Sequence, residues 1–584
     1  MFIMRCFLLY AVLLSTAFAQ ILPAGRRIDW NPGVRDPLPE PDGQRNVMDY
    51  GAAGDGIVDD GAAFESAIEI LSPQGGVLFV PRGSYLIKRQ LNIKSGIRIR
   101  GQGVSSRLLL DLEGRGEHAI VFTSTRFGDW HPVKAGFQKG SVELVVQGGS
   151  AFTAGSHAEI QQDNDPGIMY TSAEWDQSWA ENAVGQMVTV KEGRGDTLVL
   201  QRPLYLDYRS DLNPVIRLTR PLQGAGVEDI YIERLDAGDG HTLAVKNVVN
   251  GRFRRIESYM SYRTHIYLER AYCCEVGNNY LHHAHDYGGG GHGYGVDLLR
   301  HCSDNLIIDN VFEHLRHSMM VHVGSCGNVF AYNYSATREP QRLCDISIHG
   351  HYPNFNLFES NVVHEIHVAD YWGPAGPGNT FLRNKVLSEG VEVKDQSHLQ
   401  NFIGNVLERG LLRVRSDVNG TLLHGNVIAG AAEWDPFIDT RELPISLFLE
   451  ERPDFFASAG WPLFGPDCGG EAELPAERRY REGNPITTVR TGGRSRDSGL
   501  FLRLYPNPCN PAVTAEFVLP ERSYTSVELF NIHGQRVRTL AERPFGAGKH
   551  ELRFVLEPGL ASGLYFILLR YKGIYTSSKF ALLR

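Results

Sequence analysis

The alternation of apolar and polar residues in the middle of the chain repeats one short phrase. Each copy ends in asparagine and most also begin with it, with mainly apolar residues between, as in Asn305-Leu-Ile-Ile-Asp-Asn310. The closing asparagines stand at positions 310, 333, 361, 384, 405 and 426, separated by 23, 28, 23, 21 and 21 residues. A period this constant predicts stacked structural repeats.

The length of the period selects the kind of repeat. Helical repeats need about 33 residues or more, and leucine-rich repeats need leucines in a fixed frame that these phrases lack. The remaining solution is a coil with three short parallel strands in each turn. An asparagine at a strand end can bond the turn backbone and the asparagine one coil above. We therefore expect these asparagines to form a structural ladder rather than a catalytic group.

The coil is preceded by a loop rich in glycine and aspartate and by a helical pattern. Residues 49–68 read DYGAAGDGIVDDGAAFESAI, and residues 75–87 read GGVLFVPRGSYLI and supply the first strands. These two stretches resemble the opening of the pectate-lyase-like superfamily of right-handed parallel β-helices. The resemblance implies that the helix closes the open end of the coil, with Asp59 and Asp60 as capping residues.

The period is lost between residues 137 and 222. Runs such as Gln186-Met-Val-Thr-Val190 and Asp196-Thr-Leu-Val-Leu200 are joined by glycine-containing turns, which predicts antiparallel strands. We interpret this segment as a small β insertion on the first coils. It carries Trp175 and Trp179 in a polar stretch, where the indole rings either stack on sugar faces or pack the insertion onto the coil.

The last part of the chain, residues 499–584, has a different pattern. Alternating runs such as Val527-Glu-Leu-Phe530 are separated by turn residues, which predicts a small β-sandwich. This part is similar to the C-terminal sorting domain of the type IX secretion system and to its Ig-like relatives. The resemblance implies export from a Gram-negative bacterium, with the secretion machinery as a partner, and it implies no catalysis.

Composition narrows the compartment and the partners. The net charge of -9 argues against nucleic acid as a partner. Residues 1–19 have the pattern of a signal peptide, and no later stretch reaches the roughly 18 apolar residues of a membrane span. We expect a secreted or cell-surface protein. Seven cysteines follow the signal peptide, so they cannot all be paired; buried thiols and a disulfide between Cys302 and Cys326, one coil apart, both stay open.

These patterns together predict an all-β protein: a right-handed parallel β-helix with a capping helix, a β insertion and a C-terminal sandwich. The coil period and the N-terminal motifs carry the prediction of the main domain. The predicted parts are a signal peptide (1–19), an extended lead-in (20–45), the cap and first coils (46–136), the insertion (137–222), further coils and a tail (223–466), a linker (467–498) and the sandwich (499–584).

Histidines are concentrated in the coil, where 12 of the 21 lie between positions 282 and 367. Residues at the same place in successive coils lie about 4.8 Å apart, so one face of the coil becomes a stripe of side chains. Aligning the coils places His322 beside His349 and, further along, Lys394 beside Arg415. The stripe predicts a groove that changes from histidine and aspartate to lysine and arginine.

Such a groove suits an anionic polysaccharide, because Lys394, Arg413 and Arg415 can pair with uronate carboxylates. β-Elimination also needs a base and an acid, and His322 or His349 is the candidate base. The candidate catalytic residues are His322, His349, Asp345, Lys394 and Arg316. The candidate substrate-binding residues are His317, His351, Tyr352, Asp370, Arg413, Arg415, Trp175 and Trp179. Asp345 and Asp370 also offer oxygen ligands for calcium, the one cofactor considered.

Two other function classes stay open. Hydrolysis by paired carboxylates is suggested by Gly291-His292-Gly293, which is similar to a motif of polygalacturonases, with Asp286 and Asp297 as flanking carboxylates. The Asn-Thr-Asp and Arg-Ile-Lys signatures of that family are missing from the sequence. A glycan-binding coil without catalysis is the third class. A groove poor in histidine and rich in serine and threonine would favour that class, and this groove is not of that kind.

Overall fold

The short runs that end in asparagine form short parallel strands that stack from coil to coil. This computed structural model describes residues 21–34, 43–337, 344–456, 460–469, 472–486 and 501–583, the last range with short gaps at 506–508, 520–521, 532–534, 557–558 and 572–573. The predicted signal peptide lies outside the described residues. The chain divides into two units, Met1–Thr487 and Thr488–Arg584, which are described separately below.

Each complete coil contributes one strand to each of three parallel sheets, numbered here in the order the chain meets them. Sheet 1 contains the strands β1 (Gln44–Asn46), β3 (Gly76–Phe79), β20 (Glu275–Gly277), β23 (Leu306–Ile308), β26 (Val329–Ala331), β29 (Leu357–Glu359), β31 (Thr380–Leu382), β33 (Asn401–Ile403) and β36 (Leu422–His424). Sheet 2 contains β2 (Asp55–Asp59), β4 (Gly83–Ile87), β21 (Tyr280–Ala284), β24 (Val311–Glu313), β27 (Tyr334–Ser335), β34 (Val406–Leu407), β37 (Asn426–Ile428) and the antiparallel β38 (Ala431–Glu433).

Sheet 3 contains β5 (Leu91–Ile93), β7 (Ile120–Thr123), β16 (Leu243–Lys246), β19 (Thr264–Glu269), β22 (Tyr294–Leu299), β25 (His317–Val321), β28 (Ile346–Gly350) and β35 (Leu411–Val414). Longer strands bend across a corner and serve two sheets: β6 (Ile97–Leu110), β15 (Gly226–Arg234) and β18 (Arg252–Ser261) join sheets 1 and 2, and β30 (Val362–Trp372) and β32 (Lys385–Val393) join sheets 2 and 3. Two further short strands, β14 (Leu222–Gln223) and β17 (Val248–Val249), pair in parallel and form a separate two-stranded sheet. The predicted parallel β-helix is confirmed.

Asparagine ladders run along two corners of the coil. The first ladder lies at the corner between sheets 1 and 2. There the Oδ1 of an asparagine accepts the backbone N–H and the side-chain N–H of the asparagine one coil earlier, at 2.9–3.1 Å. This ladder consists of the asparagines at positions 279, 310, 333, 361, 384, 405 and 426. A second ladder before sheet 1 joins Asn305, Asn328, Asn356 and Asn379 and ends on Gln400. The predicted asparagine ladder is confirmed, and the structure contains a second ladder at another corner.

The interior of the coil is filled by stacked apolar side chains. Phe330, Phe358, Phe381 and Phe402 form a column with ring centroids 4.9, 4.9 and 4.6 Å apart. Aromatic rings stacked in this way bury a large apolar area in each coil. The cysteines are free thiols, and all but Cys468 are buried, so no disulfide joins stacked coils in the described chain.

Helix α1 (Gly61–Leu71) covers the N-terminal end of the coil with its apolar face, including the buried Phe64. Asp59 accepts the backbone N–H of Gly61 at 2.9 Å and pairs with Arg89. Asp60 is buried and accepts the backbone N–H groups of residues 53 and 54. Both carboxylates therefore hold the loop before the helix, away from any groove.

The segment after the first coils forms a closed antiparallel barrel with its own apolar core. It begins before position 137, because the first of its strands pairs with the last. The barrel strands are β8 (Phe127–Ala135), β9 (Glu143–Val146), β10 (His157–Gln161), β11 (Gly185–Arg194), β12 (Thr197–Leu200) and β13 (Val215–Thr219). Helix α2 (Pro166–Met169) and short 3-10 turns occupy the long loop between β10 and β11.

The chain after the last coil packs back along the outside of sheet 1. Buried Arg383 donates to the carbonyl oxygens of Pro444 and Phe464 and pairs with Asp467 at 2.7 Å. Part of the predicted linker packs beside sheet 2: helix α3 (Pro475–Arg481) buries Ala476, and Tyr480 Oη donates to Glu313 of β24 at 2.8 Å. The unit boundary at 487 and 488 falls later in that linker, in residues that are not described.

The second unit consists of two antiparallel sheets around one apolar core. One sheet has the order β39 (Phe501–Tyr505), β40 (Ala512–Leu519) and β43 (Gly548–Val555). The other has the order β42 (Arg536–Phe545), β41 (Ser523–Asn531), β44 (Gly563–Tyr571) and β45 (Ile574–Leu582). Among the described residues of the whole chain, no helix has the length and apolar character needed to cross a membrane.

Replacing Asn333 by alanine tests the ladder. The change removes the acceptor of two Asn310 donors and a donor to Asn361, and stranding buried polar groups costs about 1–3 kcal/mol each. We expect the free energy of unfolding of the first unit to fall by about 2–5 kcal/mol. Urea unfolding followed by tryptophan fluorescence measures it, because all 7 tryptophans precede residue 488. Asn92→Ala, at an exposed position of β5, is the matched control; an equal loss there would contradict the role of the ladder.

Candidate active site

The outward side chains of sheet 3 form a continuous row. Tyr267, Asp297, Met320, Ser347 and His367 are paired in register across five neighbouring strands. The row continues to Glu392 and Arg413 on the next two strands. The row faces outward because its neighbours along each strand, such as Val296 and Leu298, lie in the interior core. The sheet register also places His322 beside His349, as the sequence alignment predicted, with ring centroids 5.5 Å apart.

A cavity of about 780 Å³ lies over this row. Its floor is made by side chains of sheet 3, and its walls come from a glycine-rich loop on one edge and from the barrel loop and the end of β30 on the other. The lining residues are Trp179, His241, Arg263, Tyr267, Gly289, Gly290, Gly291, Tyr294, Asp297, Leu299, Arg316, Met320, His322, His349, His367, Tyr371, Trp372 and Lys394.

Asp297 and His322 form a hydrogen-bonded pair at the centre of the floor. His322 Nε2 lies 2.8 Å from Asp297 Oδ1, and both side chains are largely buried. A carboxylate at this position favours the tautomer that carries its proton on Nε2, in which Nδ1 is the acceptor nitrogen. That atom has no hydrogen-bond partner among the described residues. The pair therefore has the form of an oriented acid–base group.

The glycine-rich wall is held by two arginines that also face the cavity. Arg263 donates to the carbonyl oxygen of Gly290 at 2.8 Å and pairs with Asp239. Arg316 donates to the carbonyl oxygen of Gly288. Gly290 and Gly291 have φ values of +84° and +91°, a backbone conformation that L side chains rarely adopt, which explains the glycine run. The loop therefore keeps two guanidinium groups at the cavity edge.

Tyr267 and His241 extend the floor toward the N-terminal coils. Their rings are stacked with centroids 4.1 Å apart, and Tyr267 Oη donates to Glu269 at 3.1 Å. Burial and the nearby carboxylate of Glu269 raise the pKa of Tyr267 well above its usual value. Burial and the neighbouring cationic and histidine side chains lower the pKa of His241 well below its usual value. At neutral pH the cavity thus presents a protonated phenol and an uncharged imidazole side by side.

The opposite wall is formed by the barrel loop. Arg300, which follows β22, donates to the carbonyl oxygens of Trp179 and Glu181 at 2.6 and 2.8 Å. The Trp175 indole donates to the carbonyl oxygen of Tyr371 at 3.1 Å, and His351 Nε2 donates to the carbonyl oxygen of Trp175 at 3.0 Å. These contacts fix the loop on sheet 3 and set Trp179 over the cavity.

A buried charge cluster docks the barrel on the coil beneath this wall. The carboxylate of Glu159 is fully enclosed and meets Arg217, Arg270 and His301 at 2.6, 2.7 and 2.6 Å. Burial alone would raise the pKa of Glu159, but the hydrogen bond from His301 and the charges of the two arginines outweigh it and hold the pKa well below its usual range. His301 and Arg270 belong to the coil, so the cluster joins the two parts.

Five of the predicted site residues line the cavity: His322, His349, Arg316, Lys394 and Trp179. They come from three different coils and from the barrel. Lys394 Nζ lies 3.6 Å from Asp395 at the end opposite to His241. The structure therefore brings these residues into one place.

Other predicted residues are turned inward or serve as anchors. Asp345 is completely buried, where it accepts the Ser335 hydroxyl at 2.6 Å and the backbone N–H groups of residues 364 and 365. It therefore caps the bend within β30, one coil further on, instead of facing the groove. His317 is buried against the carbonyl oxygen of Cys344. Trp175 and His351 anchor the barrel loop; burial lowers the pKa of His351 to about 4.

The remaining predicted residues lie outside the cavity lining or outside the described side chains. Tyr352 is half-buried against the barrel core, and burial raises its pKa. Arg413 and Arg415 are exposed on and just after β35, with Arg415 paired to Glu392. They continue the groove beyond the cavity. The side chain of Asp370 is not among those described.

Sequence reasoning missed several lining residues. Arg263, His241 and Tyr267 belong to coils that precede the clearest asparagine phrases, so they were not aligned with the others. Asp297 was considered only as a hydrolytic carboxylate. Trp372 reaches the cavity edge because of a bulge in β30, and a regular alignment of the coils does not predict that position. Extending the alignment backward from Met320 would have found Asp297 and Tyr267.

Comparison with known proteins identifies the two ends of the chain. Residues 44–174 match the family described as rhamnogalacturonase A/epimerase, pectate lyase-like. Residues 503–582 match the family described as secretion system C-terminal sorting domain. The chain thus carries a pectate-lyase-like segment and a type IX sorting domain, which confirms both resemblances. The sorting domain marks it as a secreted or cell-surface protein.

Individual relatives share only short stretches with it. The pre-neck appendage protein of Bacillus phage phi29 is 38% identical over 86 residues, which are 14% of this chain and 10% of that protein. Mannuronan C5-epimerase AlgE1 of Azotobacter vinelandii is 30% identical over 92 residues, 14% of this chain and 7% of that protein. The chain therefore spans a tenth or less of these relatives' own length. The tailspike gp61 of Pseudomonas phage phi297 has a TM-score of 0.48 at 12% identity, covering 87% of this chain and 98% of that chain.

Glu159→Gln tests how the barrel is docked. The substitution leaves two largely enclosed arginines and the buried His301 without their carboxylate, so we expect the first unit to lose about 3–5 kcal/mol of stability. The pKa of Glu159 is lower in the folded state than in the unfolded state. Its ionised carboxylate therefore contributes fully to the stability of the first unit above the unfolded-state pKa of about 4.3, and this contribution to stability decreases as the pH falls below that value. Thermal unfolding across that pH range measures both effects.

The control for this experiment is Glu143→Gln, at an exposed position of β9 in the same barrel. It should change stability by less than about 0.5 kcal/mol at every pH. A Glu159→Gln variant as stable as the wild type near neutral pH would show that the cluster does not hold the barrel.

Proposed function

We propose that this protein is a secreted enzyme that cleaves an anionic, uronate-containing polysaccharide by β-elimination in the cavity on sheet 3. The observation that carries the proposal is the Asp297–His322 pair set among cationic side chains. The sorting domain supports export, and we propose a Gram-negative source with the type IX machinery as the partner.

The charges around the cavity favour an anionic ligand. Arg263, Arg316 and Lys394 supply three cations at its edges, and Asp297 is the one carboxylate among the described lining residues. That carboxylate is already engaged by His322. Guanidinium groups bind carboxylates in a fork that the planar uronate group matches. A uronate bound to these cations would have its carboxylate charge offset, which makes the neighbouring proton more acidic.

In the proposed reaction, His322 takes the proton on the carbon next to the uronate carboxylate. The electron pair of that C–H bond forms the new C=C bond as the C–O bond to the leaving sugar breaks. The leaving oxygen receives a proton from a neighbouring donor, for which His349 is the candidate. Asp297 orients His322 and stabilises its imidazolium form. His322 Nδ1 is enclosed in the structure, so the side chains that cover it have to move when substrate enters.

Hydrolysis by paired carboxylates has less support. That reaction needs two carboxyl groups about 5–10 Å apart across the scissile bond. Asp286 is not part of the lining and is bound to His292 at 2.6 Å. The described lining therefore offers a single carboxylate, and hydrolysis is kept as an outcome of the test.

Calcium coordination by Asp345 does not fit the structure. Its carboxylate oxygens are used by a hydroxyl and two backbone donors inside the protein. No group of three or more histidine, cysteine, aspartate or glutamate side chains with metal-binding geometry occurs in the part of the chain that is described. We therefore assign the neutralisation of the uronate to the arginines and Lys394 and route no step through a metal ion.

One of the relatives compared above is named for a reaction that shares its first step with β-elimination. AlgE1 is a mannuronan C5-epimerase, and its matched stretch is short. Epimerisation and β-elimination both begin with removal of the proton next to a uronate carboxylate. Epimerisation differs in that a proton returns from the opposite face. Incorporation of solvent deuterium at that carbon therefore distinguishes epimerisation from both β-elimination and hydrolysis.

His322→Ala tests the proposed base. Wild-type protein is incubated with pectate, alginate and hyaluronan, and ultraviolet absorbance of the unsaturated uronate is recorded, with reducing ends and solvent deuterium incorporation measured on the same samples. We expect absorbance to rise with one of these polymers. In His322→Ala the rate should fall by about 10²–10⁴-fold, because a positioned base contributes that much. Asp297→Asn should lower kcat with less effect on KM.

The matched control is His131→Ala, a half-buried histidine of the barrel that is not part of the cavity lining. It should react at the wild-type rate. New reducing ends without absorbance would indicate hydrolysis, and deuterium incorporation without cleavage would indicate epimerisation. A chelator that abolishes the reaction would contradict the metal-independent assignment. If none of these signals appears with any polymer, the enzymatic proposal fails and a binding function takes its place.

A further inference from the structure

The structure assigns the barrel a function in recognition: its loop carries Trp179 to the cavity, where it forms with Trp372 an aromatic platform for the apolar face of a sugar ring. This inference rests on the proposed function, and it adds a binding subsite to the same cavity. The ligand class is a pyranose unit of the glycan, held beside the uronate that reacts.

The geometry of the platform is that of two indoles at right angles. The Trp179 and Trp372 ring centroids are 5.8 Å apart with an interplanar angle of 88°. Both rings line the cavity, and they come from different parts of the fold. Trp179 is 39% exposed although Arg300 holds its carbonyl oxygen. A large aromatic ring fixed in place but open to a cavity is suited to stack on a ligand.

The platform lies beside the proposed reacting groups. The Trp179 ring centroid is 6.2 Å from that of His322, and the Trp372 centroid is 6.4 Å from that of His349. A sugar stacked on the indoles is therefore a neighbour of the unit at the imidazole pair. This places apolar recognition on one wall and the guanidinium groups of Arg263 and Arg316 on the other.

Trp175 has a separate, anchoring role. Its ring is 8% exposed and packs on Gly373, where an added Cβ would come within 2.9 Å of the indole. Its N–H donates to the carbonyl oxygen of Tyr371, the residue before Trp372. One anchor therefore fixes both the barrel loop and the strand end that carries the second indole. Of the two tryptophans that the sequence singled out, only Trp179 has a ring free for sugar.

Binding of defined oligosaccharides to Trp179→Ala tests the platform. Alginate, pectate and hyaluronan oligosaccharides are titrated, with affinity measured by calorimetry and indole exposure by fluorescence. We expect at least one set to bind the wild type and quench its fluorescence. In Trp179→Ala affinity should fall about two- to tenfold, in line with one aromatic contact. The ratio should persist in high salt, which screens the charged wall but not stacking.

Two further variants separate stacking from folding. Trp179→Phe keeps a ring and should retain most of the affinity while losing most of the quench. Trp130→Ala removes an indole of similar exposure, 36%, on a strand of the same barrel outside the cavity lining, and it should bind like the wild type.

The outcomes distinguish this inference from the proposed reaction. Weaker binding in Trp179→Ala with no absorbance change on any polymer supports the platform and removes β-elimination. Elimination in the wild type with unchanged affinity and KM in Trp179→Ala overturns the platform alone. If no oligosaccharide binds the wild type, the platform is overturned as well.

Discussion

The paired asparagine ladders are the constraint on which the rest of the structure depends. Each amide is buried. Each inner asparagine of the corner between sheets 1 and 2 uses its oxygen for two donors of the coil before it and its nitrogen for acceptors in both adjacent coils, as Asn310 and Asn333 do. A buried amide left unpaired is costly, so one coil can be placed on the next only in a single register. That register aligns the outward side chains of sheet 3 into a row. The candidate site is therefore a consequence of how the corners are bonded.

The cavity needs three parts of the chain that are distant in sequence. Sheet 3 provides Asp297 and the histidines, the glycine-rich loop presents two arginines, and the barrel supplies Trp179. A bare coil would offer a shallow, exposed stripe, where charges are screened by water and salt. The two walls partly enclose the floor, which strengthens electrostatic interactions with a bound anion. The barrel is thus part of the site, and the buried Glu159 cluster is what couples it to the coil.

The local sequence pattern predicted the structure correctly where one type of residue satisfies one local structural requirement. The repeat period and the apolar alternation led to the coil, and the alignment of His322 with His349 followed because a parallel register keeps equivalent positions adjacent. Asp345 shows the limit of that alignment. It lies one residue before β28, where the chain turns a corner, and the same carboxylate that would suit a groove is needed to cap backbone donors.

The sequence by itself determined the solenoid, its asparagine corners, the two-part organisation of the chain and the stripe of histidine and basic residues, because these depend on period and on short-range chemistry. Tertiary structure alone decided which polar residues meet. The pairing of His322 with Asp297, the approach of Arg263 and Arg316, and the separate roles of Trp175 and Trp179 all depend on contacts between segments far apart in the chain. No local pattern encodes such contacts, because burial and partner identity are set by how loops and the barrel pack on the coil.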